Sequence, residues 1–451
     1  MNIDILFFNE HFNNKEEYIK DLESFEEYIT IHKFSPKSND ILVIPPSLSS
    51  KGNQTLLVGI DDTQEADLLA LGSSIGEQLR DSAEIDIFNF EGNKDLLILG
   101  IMFSQYTFDM YKSQKDDNKI EITFSDSLNV QSSALKKEAV FWVRDMINTP
   151  SLDKTPEFFI EQIKGLNSEV SIEVHDEDWL EENSFGAVLG VAKGSERKPY
   201  FLVGEYNKNA DFQIALIGKG VMFDSGGLSL KSPAGMDTMK TDMAGAATAW
   251  GVMSLISKHK VDIGLTVFTP IVENMPSGSA IRPGDVLKAR NGKTIEVLNT
   301  DAEGRLIMAD ALAYASERNP DLICDVATLT GASYVALGLD IGAVFSNNKK
   351  IEDKFIKSTE NSKENFYPLP LHSGYKKLIE SDIADMKNTG GRFGGAITAA
   401  LLLENFTNGL DWVHLDIAGP ARSSNRKGAT GFSVLTLFEF FKSFSKNHPE
   451  S

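Results

Sequence analysis

The stretch Asn299-Thr300-Asp301-Ala302-Glu303-Gly304-Arg305-Leu306 is the most informative part of this 451-residue chain. Its two acidic residues follow the extended run 294–298, and in a strand two positions apart they would point to the same side of the backbone. Residues 306–317 then have the pattern of a buried helix. Two carboxylates and a guanidinium at such a junction are costly to bury unless they bind something, and a divalent metal ion is the usual ligand. Acids placed against a helix N-terminus are the simpler alternative.

A second cluster of charged residues lies upstream, after the apolar run 213–217. Lys219, Asp224 and Lys231 are interleaved with glycines there, and Asp242 precedes an Ala/Gly-rich helical pattern at 244–258. With Asp301 and Glu303 the chain then provides four carboxylates, the charge that balances two divalent cations. Oxygen-rich ligand sets favour Mn²⁺, Zn²⁺ or Mg²⁺ over softer metals. The sequence therefore predicts a two-metal hydrolase site.

At these residues the chain resembles the leucyl (cytosol) aminopeptidase family of dinuclear metallo-exopeptidases. The stretch 299–306 matches the signature of this family in full, and residues 218–227 match its second characteristic motif. The resemblance continues through the C-terminal part of the chain at residues 325–332, 397–400 and 414–419. Two characteristic motifs in the right order make the resemblance specific.

The resemblance assigns a role to each matching position. Two divalent ions, Mn²⁺ or Zn²⁺ and alternatively Mg²⁺, would be bound by Lys219, Asp224, Asp242, Asp301 and Glu303. Lys231 would be the electrophile beside the scissile carbonyl, and Arg305 would hold a bicarbonate that acts as general base. By the same likeness the substrate would be positioned by Met239, Asn299, Thr328, Leu329, Gly331 and Ala418.

These implied roles agree with elementary chemistry. Lys219 can be a metal ligand only as a neutral amine, and two nearby dications would lower its pKa. Lys231 would stay protonated and stabilise the oxyanion that develops on the carbonyl. A water that bridges two metal ions becomes hydroxide near neutral pH and could attack the amide, while one ion binds the free α-amine of the substrate. Capture of that amine would confine cleavage to the first residue.

The expected activity is removal of neutral, preferentially apolar N-terminal residues from peptides. Better-known family members have a methionine at the position of Ala421, and apolar pockets discriminate by only about 1–3 kcal/mol per methylene, so a strict leucine preference is not expected. A narrow dipeptidase of the cysteinylglycine type is an alternative with the same ligands. A non-catalytic protein on the same fold is another, but it predicts damaged ligand positions, and all of them are intact.

Composition and charge argue against a nucleic-acid partner, although some members of the family also bind DNA. The formal net charge is −21, and positions 1–150 hold 13 basic and 26 acidic residues, which repel phosphate. The one cysteine, Cys324, lies in an apolar run, is expected to be buried and indicates a reducing compartment. A signal-peptide pattern is missing, and no apolar run approaches the roughly 18 residues of a membrane span. A cytoplasmic protein without a membrane partner is expected.

The alternation of apolar runs and helical patterns predicts an α/β fold with two domains. Residues 1–150 would form a smaller α/β domain for assembly or access control, ending in a linker helix over 132–147. Residues 151–451 would form the catalytic domain, a mainly parallel sheet flanked by helices that carries the two-metal site. The resemblance also implies a homohexamer.

The predicted strands are residues 3–8, 41–44, 55–58, 95–101, 170–174, 200–203, 213–217, 263–267, 294–298, 321–327, 342–345 and 412–416. The predicted helices are residues 64–80, 132–147, 156–166, 244–258, 306–317, 396–406 and 434–444.

Overall fold

The chain forms two compact units, Met1–Glu138 and Ala139–Ser451, in this computed structural model. The structure describes residues 2–8, 15–36, 39–60, 67–79, 81–90, 92–114, 120–423 and 428–446. The division between the units lies inside a long helix, whereas the sequence placed a domain boundary after that helix, near residue 150. The roles assigned to the two units from the sequence stay predictions.

The N-terminal unit is a five-stranded sheet with helices. Its strands are β1 (Asn2–Phe8), β2 (Ile41–Ile44), β3 (Gln54–Gly59), β4 (Ala83–Phe88) and β5 (Ile122–Phe124), in the spatial order β2-β3-β1-β4-β5. The pairs β1–β3, β1–β4 and β4–β5 are parallel, and β2 runs antiparallel to β3. The helices are α1 (Lys15–Tyr18), α2 (Leu22–Ile31), α3 (Leu68–Gln78), α4 (Lys94–Ser104) and the first part of α5 (Gln131–Asn148), whose residues from Ala139 onward belong to the C-terminal unit.

The strand predicted at residues 95–101 is wrong, because this segment belongs to helix α4. An unbroken apolar run does not distinguish a buried strand from a helix that is buried on all sides. The side chain of Asn93 favours the helix over a strand here, because it caps the N-terminus of α4 by accepting a hydrogen bond from the backbone N–H of Leu96 at 3.3 Å. Strands β4 and β5 were not predicted. The helix predicted at 64–80 corresponds to α3, and residues 64–66 and 80 lie outside the described residues.

The C-terminal unit is built around a nine-stranded mixed sheet. Its eight-strand path has the order β15-β14-β17-β13-β8-β10-β7-β6, and β9 pairs with β10. These strands are β6 (Ser171–His175), β7 (Tyr200–Tyr206), β8 (Gln213–Gly218), β9 (Gly220–Asp224), β10 (Gly264–Asn274), β13 (Leu322–Ala327), β14 (Ile341–Ser346), β15 (Asn365–Pro368) and β17 (Trp412–Asp416). Smaller sheets contain β11 (Val286–Lys288), β12 (Thr294–Glu296), β16 (Met386–Lys387), β18 (Arg422–Ser423) and β19 (Gly428–Ala429).

Of the ten described helices that begin in this unit, five correspond to the sequence predictions at 156–166, 244–258, 306–317, 396–406 and 434–444, and the other five were not predicted. The ten helices are α6 (Pro156–Leu166), α7 (Glu177–Glu182), α8 (Gly186–Ala192), α9 (Pro233–Met236), α10 (Ala244–Lys258), α11 (Gly304–Ser316), α12 (Gly331–Leu337), α13 (Lys349–Ser362), α14 (Gly395–Glu404) and α15 (Val434–Lys442). Two 3₁₀ segments, Met239–Thr241 and Ser373–Ile379, complete the unit. Among the described helices, none is both long enough and apolar enough to cross a membrane.

The centre of the large sheet is parallel, as the sequence predicts. Strands β17, β13, β8 and β10 run in one direction, so their carboxyl ends meet at one edge. In α/β folds this edge is where ligands bind. Lys219 follows β8, Asp224 ends β9, Thr328 follows β13, and Ala418 comes two residues after β17. The chain order alone therefore brings several of the predicted site residues to one edge of the sheet.

The prediction that Asp301 and Glu303 share one side of a strand is wrong. Strand β12 ends at Glu296, and a turn closes where the N–H of Ala302 donates to the carbonyl of Asn299 at 3.2 Å. Glu303 itself has helical backbone angles at the start of α11. Asp301 and Glu303 therefore leave a turn and the start of a helix, and not a pleated strand.

Candidate active site

Three carboxylates form the centre of the site. Asp224, Asp242 and Glu303 each offer an oxygen atom, and these atoms all lie within 4.8 Å of one another. The three residues are only 2, 4 and 1% exposed. Burial raises the pKa of Asp242 well above its ordinary value, and the charges of Glu303 and Asp224 add to this effect. Such a concentration of buried negative charge requires nearby cations.

Lys219 supplies one of these cations. Its Nζ donates to Asp242 Oδ1 at 2.7 Å and to the carbonyl of Thr328 at 3.0 Å, and it lies 2.9 Å from Glu303 Oε1. Burial would lower the pKa of Lys219, but Asp242, Glu303 and Asp224 outweigh burial and raise the pKa above its ordinary value. In the protein alone Lys219 is therefore an ammonium. A metal-ligand role needs the neutral amine, so it depends on the positive charge of bound ions.

Lys231 supplies the second cation and connects Asp301 to the cluster. Its Nζ lies 2.8 Å from Asp224 Oδ2 and forms a closer ion pair with Asp301. Burial would lower the pKa of Lys231, but Asp224 and Asp301 raise it. The turn before Lys231 depends on Gly226, which has φ of +85° and whose missing Cβ would lie 2.8 Å from Asp301 Oδ1. Glycine is needed here for both conformation and space.

A polar network that the sequence did not reveal fixes this arrangement. Asn274, the last residue of β10, donates from Nδ2 to Asp224 Oδ1 at 2.8 Å and to the carbonyl of Thr300 at 2.9 Å. Thr300 in turn donates to the carbonyl of Gly226 at 2.6 Å and accepts from the N–H of Ser229 at 2.8 Å. Asn274 therefore orients the Asp224 carboxylate and joins the two motifs. An asparagine at the end of a strand has no pattern that would have identified it.

Arg305 lies on the first turn of α11 and is buried. Its Nη1 donates to the carbonyl of Asn388 at 2.8 Å, while its Nε has no acceptor within the described part of the chain. Burial lowers the pKa of Arg305 to about 10, although Glu303 and Asp416 act in the opposite direction. A buried guanidinium with a free donor is a site at which a small anion would be stabilised. The sequence did not identify Asn388 as its partner.

The predicted substrate residues lie on the segments around the carboxylates. Thr328 Oγ1 donates to Asp242 Oδ1 at 2.8 Å. The N–H groups of Leu329 and Ala418 both donate to Asp416 Oδ1, at 3.1 and 3.2 Å, so Asp416 joins the ends of β13 and β17. Three further predicted residues are placed by their segments: Met239 opens the 3₁₀ turn before Asp242, Asn299 accepts from the N–H of Asp301, and Gly331 begins α12.

The donor set fits divalent metal ions. Asp242 Oδ2 and Glu303 Oε2 are buried and have no hydrogen-bond partner within the part of the chain that the structure describes. Buried carboxylate oxygens normally have a partner, and unpartnered ones are explained by a missing ion or water. Closely spaced carboxylate oxygens are the ligands that hard divalent cations prefer. Three of the five predicted ligand residues, Asp224, Asp242 and Glu303, therefore offer closely spaced oxygen atoms at which a cation would be stabilised.

Comparison with known proteins agrees with this chemistry. The catalytic-domain profile of the cytosol aminopeptidase family matches residues 141–438. The chain belongs to this family. A probable cytosol aminopeptidase of Syntrophotalea carbinolica is 43% identical over 369 residues, which is 77% of this chain and 74% of the relative. The chain is therefore an aminopeptidase, a metal-dependent hydrolase.

Solved structures of related enzymes have the same fold. The cytosol aminopeptidase from Coxiella burnetii superposes with a TM-score of 0.86 at 28% identity, covering 99% of this chain and 98% of that one. The bottromycin maturation enzyme BotP in complex with Mn has a TM-score of 0.87 at 28% identity, covering 98% of both chains. The two-domain α/β fold and the resemblance stated from the sequence are thereby confirmed.

Proposed function

We propose that this aminopeptidase removes neutral, preferentially apolar N-terminal residues from peptides with two divalent metal ions per chain. The observation that carries the proposal is the buried trio Asp224, Asp242 and Glu303, with oxygen atoms within 4.8 Å of one another. Asp301 and Lys219 would complete the ligand set. The Mn complex of the structural relative BotP supports Mn²⁺ as one suitable ion. Two such ions supply Lewis acidity and lower the pKa of a bound water.

Lys231 is proposed to stabilise the oxyanion that forms when the peptide carbonyl is attacked. Asp224 and Asp301 raise its pKa, so it keeps its proton at neutral pH and can donate to the developing charge. Arg305 is proposed to bind bicarbonate as the proton acceptor, and its buried Nε provides a donor for this anion. Lys231 is held by ion pairs with Asp224 and Asp301, and Arg305 is held by its hydrogen bond to the carbonyl of Asn388.

The pocket for the N-terminal side chain is proposed to include Met239, Thr328, Gly331 and Ala418, with Asn299 and the backbone of Leu329 positioning the peptide. Met239 lies on the 3₁₀ turn before Asp242, Thr328, Leu329 and Gly331 follow β13, Ala418 follows β17, and Asn299 lies in the turn before Asp301. A homohexamer and a cytoplasmic location are proposed from the family resemblance, and the names of the relatives, probable cytosol aminopeptidases, support the location.

Hydrolysis of leucine p-nitroanilide tests the proposal. Purified protein should lose activity after chelation and dialysis, and regain it when Mn²⁺ or Zn²⁺ is added, because the residues alone provide no nucleophile of comparable strength. A parallel assay with cysteinylglycine and a panel of other amino-acid p-nitroanilides defines the substrate range. Turnover that persists in protein shown by elemental analysis to be metal-free would contradict the proposed mechanism. Activity on cysteinylglycine alone would replace the proposed substrate range with a narrow dipeptidase.

A further inference from the structure

Lys154 is a buried lysine outside the metal-ligand set. It lies in the turn between α5 and α6 with 0% of its surface exposed. Its Nζ donates to the carbonyl of Lys240 at 2.7 Å and lies 3.5 Å from the carbonyl of Ile147. Both acceptors are neutral, and burial lowers the pKa of Lys154 well below its ordinary value. A buried amine without a carboxylate partner is costly, so its presence calls for an explanation.

The acceptor of the shorter bond lies in the segment that carries a ligand. Lys240 is the middle residue of the 3₁₀ turn Met239–Thr241, and Asp242 follows this turn directly. The bond from Lys154 therefore restrains the backbone two residues before the Asp242 carboxylate. Met239, proposed above as a pocket residue, belongs to the same turn. Any shift of this turn would move both residues.

The segment 147–154 forms two further hydrogen bonds with segments of the site. Lys240 Nζ donates back to the carbonyl of Asn148 at 2.5 Å, so the turn and the end of α5 are joined by reciprocal bonds. Ser151 Oγ donates to the carbonyl of Met222 at 3.1 Å, in the strand that ends at Asp224. The Nζ groups of both lysines donate to carbonyls at the end of α5, where lysine side chains commonly satisfy the last acceptors of a helix. The segment thus contacts both the 3₁₀ turn that precedes Asp242 and the strand that ends at Asp224.

We propose that Lys154 is a positioning residue for the metal centre, which it serves by fixing the turn Met239–Thr241 and through it Asp242. The inference rests on the proposed two-metal function. This role gives a physical reason for a lysine at a buried position, where an apolar side chain would cost less desolvation free energy. Outer residues that orient metal ligands typically change metal affinity about 10- to 100-fold when they are mutated.

The variant Lys154→Met tests this role, with Lys164→Met on the exposed face of α6 as a matched control. Mn²⁺ binding to chelated, dialysed protein is measured by titration calorimetry, and thermal unfolding is measured without metal. We expect Lys154→Met to unfold at the same temperature or higher, because a buried amine that is costly to desolvate is replaced by an apolar side chain of similar length. We expect its Mn²⁺ affinity to fall about 10- to 100-fold while Lys164→Met keeps the wild-type affinity. Wild-type Mn²⁺ affinity in folded Lys154→Met would overturn the proposal.

Hydrogen exchange of the wild-type protein provides an independent readout if Lys154→Met does not fold. Peptides that cover 236–246 and 147–155 are compared with and without Mn²⁺. Protection of both segments on metal addition is expected, since the buried bond joins them. Protection of 236–246 with no change in 147–155 would contradict the role of Lys154. A wild-type protein that binds no Mn²⁺ at all would instead refute the proposed function and, with it, the positioning role of Lys154.

Discussion

Replacement of Asp242 by asparagine is expected to lower kcat/KM by more than about 100-fold, which exceeds the usual effect of losing an outer partner of a metal ligand. Asp242 Oδ1 accepts hydrogen bonds from Lys219 Nζ at 2.7 Å and from Thr328 Oγ1 at 2.8 Å. Its Oδ2 is buried without a partner in the described part of the chain. Asparagine has the same shape but no charge, so the variant should fold and bind divalent ions weakly.

The exposed acid Asp237, five positions earlier, offers a matched control for this substitution. Asp237→Asn makes the same chemical change next to the same turn and should keep wild-type kinetics and metal affinity. Both variants are compared by leucine p-nitroanilide hydrolysis and by Mn²⁺ titration, with circular dichroism as a check of folding. If Asp242→Asn bound Mn²⁺ as tightly as the wild type, Asp242 would not be a ligand.

Replacement of Gly304 by alanine is expected to reduce kcat/KM about 10- to 100-fold, because the added methyl group would displace Lys219 from the carboxylates, and changes that disturb the orientation of metal ligands typically cost about 10- to 100-fold in affinity or activity. A Cβ at this position would lie 2.5 Å from Lys219 Cε and 2.6 Å from its Nζ. The lysine would have to move away from Asp242 and Glu303. The glycine between Glu303 and Arg305 is thus required because Lys219 packs against its Cα.

Gly278→Ala is the control for this effect, because a Cβ at Gly278 would meet no described atom within 4 Å. It should leave activity unchanged. Steady-state kinetics and Mn²⁺ titration separate the two variants, and thermal unfolding shows whether the added methyl group disturbs the whole unit or only the site. Wild-type kinetics in Gly304→Ala would mean that the position of Lys219 is not critical.

Much of the catalytic unit could be predicted from the sequence because its elements have strong local signals. The helix predicted at 244–258 is α10 with the same bounds, since an Ala/Gly-rich apolar run of that length has few other folds. The strand at 213–217 and the change to glycines after it placed Lys219 at the carboxyl edge of the sheet. The two motifs located Asp224 and Glu303, and Asp242 was identified just before the helical pattern at 244–258. The structure brings these three buried carboxylates together.

The rest depends on contacts between distant parts of the chain, which no local pattern records. Asn274, Asn388 and Asp416 each hold a site segment through hydrogen bonds, yet each is an ordinary residue in its own stretch of sequence. Helix α4 was predicted as a strand because an unbroken apolar run carries no periodicity. The sequence pattern places Asp301 and Glu303 on one side of a strand. In the structure Asp301 lies in the turn closed by Asn299 and Ala302, and Glu303 lies at the start of α11.

Anomalous diffraction from crystals grown with Mn²⁺ tests the two-metal site most directly. Two peaks about 3.5–4 Å apart, the usual spacing of two-metal hydrolases, are expected in contact with Asp224, Asp242 and Glu303. In this arrangement Lys219 Nζ should coordinate one ion and no longer pair with Asp242 as an ammonium. A single peak, peaks elsewhere, or no peak with the Lys219–Asp242 ion pair intact would contradict it.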